Sequence, residues 1–234
     1  MKNILFRILK VLLLILIIVL GQQYFIDLIS FFGIEISKLS NLLNEFLNML
    51  FYLIVLLISF FLYKDDLIRD FRRFKRNIFP NILMTIVFFI VLTLLISITN
   101  YFGEIIAESF KVYYSSLKPT NIFNDPLDAY FAINFIKNIL IIPFIMVVTY
   151  ILGINEVFKT KNKGILFSGI IAAITIGMVM ENSFIYIIIN VIPIMVLYMS
   201  LAYIYRKNNT NIWFSISTYM LYTLFASSLL ERIM

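Results

Sequence analysis

The chain has 234 residues, 62% of them hydrophobic and only 14% charged, with a mean hydropathy of +0.98. Soluble domains are roughly 45–50% apolar and about 25% charged, so a soluble fold of this size lacks the interior to hide these side chains. The composition specifies an all-α integral membrane protein, a polytopic bundle of transmembrane helices forming one domain over 1–234. Histidine and cysteine are both absent, which excludes disulfides, thiolate chemistry and the commonest zinc ligands. The net charge of +6 reads as basic cytoplasmic loops rather than as a nucleic-acid footprint.

Apolar runs long enough to cross about 30 Å of hydrocarbon occur at 4–20, 42–63, 79–99, 132–154, 165–180, 184–205 and 212–230. This predicts seven spans. Asn190 and Pro193 could split the sixth and add an eighth element. Lys2, Arg7 and Lys10 precede the first run in the manner of a signal peptide. Leu20-Gly21-Gln22-Gln23-Tyr24 offers no small-residue cleavage site, so an uncleaved first helix is expected.

With the N-terminus in the cytoplasm, 14 of the 19 basic residues fall on the inner side and 9 of the 13 acidic residues on the outer side. The positive-inside rule is met at every cytoplasmic loop. The segment 64–78 is the most basic, with Arg69, Arg72, Arg73, Lys75 and Arg76 around Phe71 and Phe74. A short helix here would lay both phenylalanines on the lipid. It is either a topology determinant or a contact for anionic lipid or an acidic partner. The outer stretch 100–131 is the longest loop. Its portion 104–117 is patterned as an interfacial amphipathic helix, or serves an extracellular partner.

Chemistry is sparse. There is no HExxH, no glycine-rich phosphate loop and no carboxylate pair within a span. The serines have no intramembrane lysine to activate them. Neutral polar stripes remain: Ser168, Ala172 and Thr175 share one helical face, and Ser215, Thr218 and Tyr222 another. Such small-residue faces let helices pack closely, or line a substrate path.

The order of features resembles a known family. The basic segment KDDLIRDFRRFKRNIFPN leads into a helix. A loop with Asn and Pro follows, then a helix with a central proline, a small-residue helix with Ser168, and a Tyr-rich helix ending in a basic turn and TNIWFSI. Over roughly 64–225 this is similar to the CPBP (Abi) membrane proteins, which include CAAX prenyl endopeptidases and bacteriocin-processing or immunity proteins. The family motifs are EExxxR, FxxxH and HxxxN/D. Ile141-Ile142-Pro143-Phe144-Ile145 resembles the segment before the Glu pair. That correspondence sets the pair on Met146 and Val147, the aromatic on Tyr150 and the Arg on Ile151. The second His falls near Ile176. The third falls on Thr218 and its Asn on Tyr222. The resemblance therefore implies a pseudoenzyme with no metal or cofactor. Its old substrate groove, open to lipid, would present Met146, Thr149, Tyr150, Ala172, Thr175, Thr218 and Tyr222.

The expected function is noncatalytic binding of a peptide or membrane-protein partner in a bacterial plasma membrane, in bacteriocin immunity or cell-envelope regulation. A transporter or permease subunit is the alternative, with the Asn190–Pro193 region as its broken helix.

Overall fold

In a computed structural model, residues 2–32, 39–111, 129–158, 160–177 and 184–233 are described. Among them every regular element is helical: α1 (Lys2–Phe31), α2 (Asn41–Leu62), α3 (Lys64–Arg76), α4 (Ile78–Phe110), α5 (Ala129–Val157), α6 (Lys161–Gly177), α7 (Phe184–Lys207) and α8 (Ile212–Ile233). Four of these, α1, α2, α4 and α5, are long and apolar enough to cross a membrane, and Ile212–Phe225 of α8 is a shorter apolar helix. Outward-facing Leu5, Phe6, Leu12 and Leu16 on α1, and Leu83, Ile90 and Leu94 on α4, leave an apolar surface that only lipid can satisfy. The protein is an all-α membrane bundle.

Several helices outrun their apolar stretches. The first run ends at Leu20, yet α1 continues to Phe31, because its polar residues find partners. Gln22 Nε2 donates to Asn48 Oδ1 of α2 at 2.8 Å, and Gln23 to Asp27 at 3.3 Å. Similarly α4 runs on to Phe110, where Lys111 ends it in a left-handed conformation (φ 54°) and donates to the carbonyls of Ala107 and Glu108. The interfacial helix expected at 104–117 thus begins as the last turns of α4. The rest of that segment lies outside the described residues. The sixth run is not split: α7 passes through Asn190 and Pro193 as one helix.

Burial rises from α1 to α5. Of the apolar windows, 11% of α1 is buried, 17% of α2, 33% of α4 and 67% of α5, so α5 is the central helix. It is not a uniform α-helix. Ile136–Ile141 and Val148–Gly153 are π-helical, on either side of a short α segment containing Pro143. Proline supplies no N–H and disturbs the ladder before it, and π turns widen the helix. All six residues of Val148–Gly153 are buried. Val148, Tyr150, Ile151 and Leu152 join Leu14 of α1, Ala172 and Ala173 of α6, Leu201 of α7 and Ile216 of α8 in the main core. A smaller cluster of Phe51, Val55, Ile141 and Ile145 seals α2 against α5.

α6 packs tightly on α7 at Gly169. A Cβ on Gly169 would stand 2.3 Å from Met199 Cγ and 2.8 Å from the Met195 carbonyl, so only glycine admits this approach.

Candidate functional site

Of the seven residues at the expected groove, the structure joins Tyr150 directly to Thr175 and, through two further rings, to Tyr222. Thr149 and Tyr150 come from the second π segment of α5, with Met146 just before it. Ala172 and Thr175 come from α6, and Thr218 and Tyr222 from α8. The Thr175 hydroxyl and the Tyr150 hydroxyl share a hydrogen bond of 2.8 Å, and Thr175 Oγ1 also lies 2.8 Å from the Ile171 carbonyl. A chain of rings links α5 to α8: Tyr150 meets Tyr198 edge-on at 5.3 Å, Tyr198 meets Tyr219 at 6.1 Å, and Tyr219 stacks on Tyr222 at 6.3 Å. Tyr198 and Tyr219 occupy no motif position, so sequence reasoning passed over them.

The surface these residues form is closed. Thr149, Tyr150, Ala172 and Thr218 have no exposed area and Tyr222 almost none; Met146 and Thr175 are partly exposed. The expectation of a groove open to lipid is corrected to an internal seam, because the tyrosine rings fill it. Within it the hydroxyls of Thr149 and Thr218 are buried without a partner. Burying an unsatisfied hydroxyl is unfavourable by about 1–3 kcal/mol, so these two positions are the least satisfied in the seam.

The basic segment is a helix, but not one lying free on lipid. Leu67, Asp70 and Phe74 form its buried stripe at i, i+3 and i+7. The expectation that Phe71 and Phe74 both face lipid holds for neither fully. Phe74 turns inward against Phe214 at 5.0 Å, and Phe71, half-exposed, leans on Trp213 at 5.0 Å.

Asp70 has no exposed area. Its carboxylate accepts from Arg69 Nε at 3.1 Å, from Arg73 Nη2, and from the Ile212 backbone N–H at 3.2 Å. Asn211 Nδ2 donates to the Asp70 carbonyl at 3.1 Å, and Trp213 Nε1 to the Leu67 carbonyl at 3.0 Å. Arg73 Nη1 donates to the Asn209 carbonyl at 3.2 Å. The segment thus clamps the start of α8. Of its cations, Arg69 and Arg73 are engaged, whereas Arg72, Lys75 and Arg76 are exposed.

A second polar lock joins α5, α6 and α7 at the same end. Arg206 Nε donates to Asn155 Oδ1 at 2.6 Å and Arg206 Nη2 to the Phe158 carbonyl at 2.8 Å, while Asn155 Nδ2 donates to Ser168 Oγ at 3.1 Å. A Cβ on Gly164 would stand 2.3 Å from Asn155 Oδ1, which keeps that position glycine. Nearby, Arg7 donates to the Glu156 carbonyl at 3.0 Å and Lys10 to the Leu62 carbonyl at 2.9 Å, tying α1 into the bundle. Burial, with Glu156 and Asp66 close by, pushes the Tyr63 hydroxyl up from its ordinary value, so it stays protonated. At the opposite end, buried Lys137 of α5 pairs with Glu45 of α2.

Among the described residues no group of three His, Cys, Asp or Glu side chains could hold a metal ion. Comparison of the chain with protein-family models, with curated proteins and with solved structures found no match.

Proposed function

We propose that this chain is a noncatalytic, multi-pass membrane protein of CPBP/Abi-like layout that binds a peptide or membrane-protein partner. Seven spans with the N-terminus in the cytoplasm fit its charge distribution, and a bacterial plasma membrane is the proposed site. One observation carries the reading. The residues that the resemblance assigns to the old groove lie on α5, α6 and α8, most of them buried, with Tyr150 bonded to Thr175. They are a thioether, hydroxyls, two tyrosines and a small residue. Groups of this kind bond weakly across helices, at about 0.6–2 kcal/mol each, and none is an acid–base pair suited to hydrolysis. A partner would therefore be held by packing along the partly exposed rim at Met146 and Thr175. Bacteriocin immunity or regulation of an envelope enzyme is the physiological role proposed.

The test is protection of cells that express the protein against a panel of membrane-active bacteriocins, with the inserted amount measured on the same cells. Thr175→Trp should insert normally and lose protection. Tyr222→Phe should weaken protection by no more than about tenfold, the equivalent of about 1.4 kcal/mol. Full protection by a normally inserted Thr175→Trp protein would sink the partner reading. Absence of protection against every bacteriocin would remove the immunity role.

A further inference from the structure

Where α3 meets the beginnings of α4 and α8, the surface opens into a cavity of about 230 Å³ lined by Arg73, Asn77, Asn81, Asn208, Asn209, Asn211 and Phe214. Five asparagines in one small cavity of so apolar a protein call for an occupant. Their amides are only partly used. Asn81 Nδ2 donates once, to the Phe74 carbonyl at 2.7 Å, and Asn208 Nδ2 once, to the Ile204 carbonyl at 2.8 Å, leaving each a second N–H. Asn77 makes no capping bond, although it stands at the N-terminus of the 33-residue α4. The backbone N–H groups of Ile78 and Phe79 consequently have no side-chain acceptor, and Pro80 has no N–H. Exposed Lys75, Arg76 and Lys207 flank the cavity in sequence. No carboxylate lines the cavity, and Asp70, which pairs with the lining Arg73, is shared with Arg69.

A second hollow lies beside the cavity. Along α4, Asn81 is followed by Ile82 and Thr85; along α8, Phe214 is followed by Ser217 and Leu221. With Phe74 and Met220, those residues line an apolar groove of about 280 Å³. Phe74, in the groove, touches Phe214, in the cavity. Phe79, almost fully exposed at the rim, and half-exposed Ile78 are suited to immersion in acyl chains. A polar, donor-rich chamber thus lies next to an apolar slot between two membrane helices.

We propose that this cavity and groove together bind one anionic phospholipid, with its phosphate among Asn77, Asn81, Asn209 and Arg73 and an acyl chain in the slot between α4 and α8. The site is distinct from the partner seam and does not depend on it. Its chemistry is that of a phosphodiester with no cation on its headgroup: an anion that accepts from several amide N–H groups, keeps its net negative charge beside exposed Lys75 and Arg76, and is carried on a hydrocarbon tail.

The experiment uses full-length protein in nanodiscs of equal parts phosphatidylglycerol and phosphatidylcholine, with retained lipid counted by native mass spectrometry after gentle extraction. The wild type should hold phosphatidylglycerol over phosphatidylcholine at least about fivefold, the effect of one charge contact. Asn77→Asp places a carboxylate in the chamber while supplying α4 with a good N-cap, so it should abolish the preference without lowering the melting temperature. Asn209→Asp is the second arm, at a left-handed position that Asp tolerates. Lys64→Gln, on α3 but away from the cavity, should leave the preference intact. The proposal is overturned if both aspartate variants keep the preference, or if Lys64→Gln lowers it equally, which would mean diffuse surface charge. It is also overturned if inorganic phosphate alone stabilises the protein as well as the lipid does while no lipid is retained, which would mean a free-anion site.

Discussion

Asp70 on α3 accepts the backbone N–H of Ile212, 142 positions later, at 3.2 Å. Asn211 accepts the next N–H, that of Trp213, at 3.1 Å. The first turn of α8 is thus capped twice, once from its own flank and once from across the protein. Negative groups are favoured at helix N-termini, where unpaired N–H groups gather. Asp70→Ala removes the cap and leaves Arg73 facing two carbonyls without its counter-ion. A loss of about 2–3 kcal/mol is expected in detergent-solubilised protein. Asp70→Asn still accepts from Ile212 and should recover part of that loss in a thermal melt. Equal losses for the two variants would mean that the cap contributes nothing.

The turn that Asp70 helps to hold is strained. Asn209 and Thr210 both have positive φ, 53° and 55°. Asparagine tolerates this, whereas a β-branched residue is disfavoured by roughly 1–2 kcal/mol. Thr210→Gly removes that clash but adds freedom to the unfolded chain. The balance favours a modest gain, about 0.5–1 kcal/mol, read as a higher melting temperature. A lower melting temperature would mean that the Thr210 side chain contributes more than its strain costs.

Glu45 and Lys137 predict an asymmetry. The lysine side chain is 9% exposed and the glutamate 26%. Whichever charge stays behind unpaired sets the cost of breaking the pair. Glu45→Ala strands a buried ammonium and should cost about 2–3 kcal/mol, whereas Lys137→Met leaves a carboxylate that water can reach and should cost about 1 kcal/mol. Denaturation of the two single variants side by side checks the order, and equal losses would contradict it.

The proposed orientation sets Lys75 and Lys111 on opposite sides of the membrane, with α4 between them. Both are exposed. The chain has no cysteine, so single introduced cysteines carry no background. A membrane-impermeant maleimide should label Lys111→Cys in intact cells and reach Lys75→Cys only after lysis. The reverse pattern would require the opposite orientation.

Much of the helical plan can be read from hydropathy, because in a bilayer an apolar run has little choice but to close its own hydrogen bonds. The ends are harder to read. Gln22 extends α1 only because Asn48 waits on another helix, and no local pattern near position 22 announces that. The buried stripe of α3 was hidden for a similar reason. Asp70 among five cations looks like solvated charge until the α7–α8 turn is brought against it. The polar stripe of α6 marks Thr175 as a residue facing another helix, but it does not say that Tyr150, 25 positions earlier, is the partner. The closing of the seam depends on the volumes of Tyr198 and Tyr219, which no spacing rule weighs.

The widened turns of α5 bear on descent as well as on packing. A π turn holds about one residue more than an α turn, which in a plain helix would rotate everything beyond it by about 100°. In Val148–Gly153 that extra residue is absorbed in place, at the very turn that carries Thr149 and Tyr150. A relative with an ordinary α turn there would match this chain only through a one-residue gap inside a buried helix, where gaps are least expected. Placing the gap in the flanking loops instead would misassign every position between the loop and the turn, including those opposite α6 and α8.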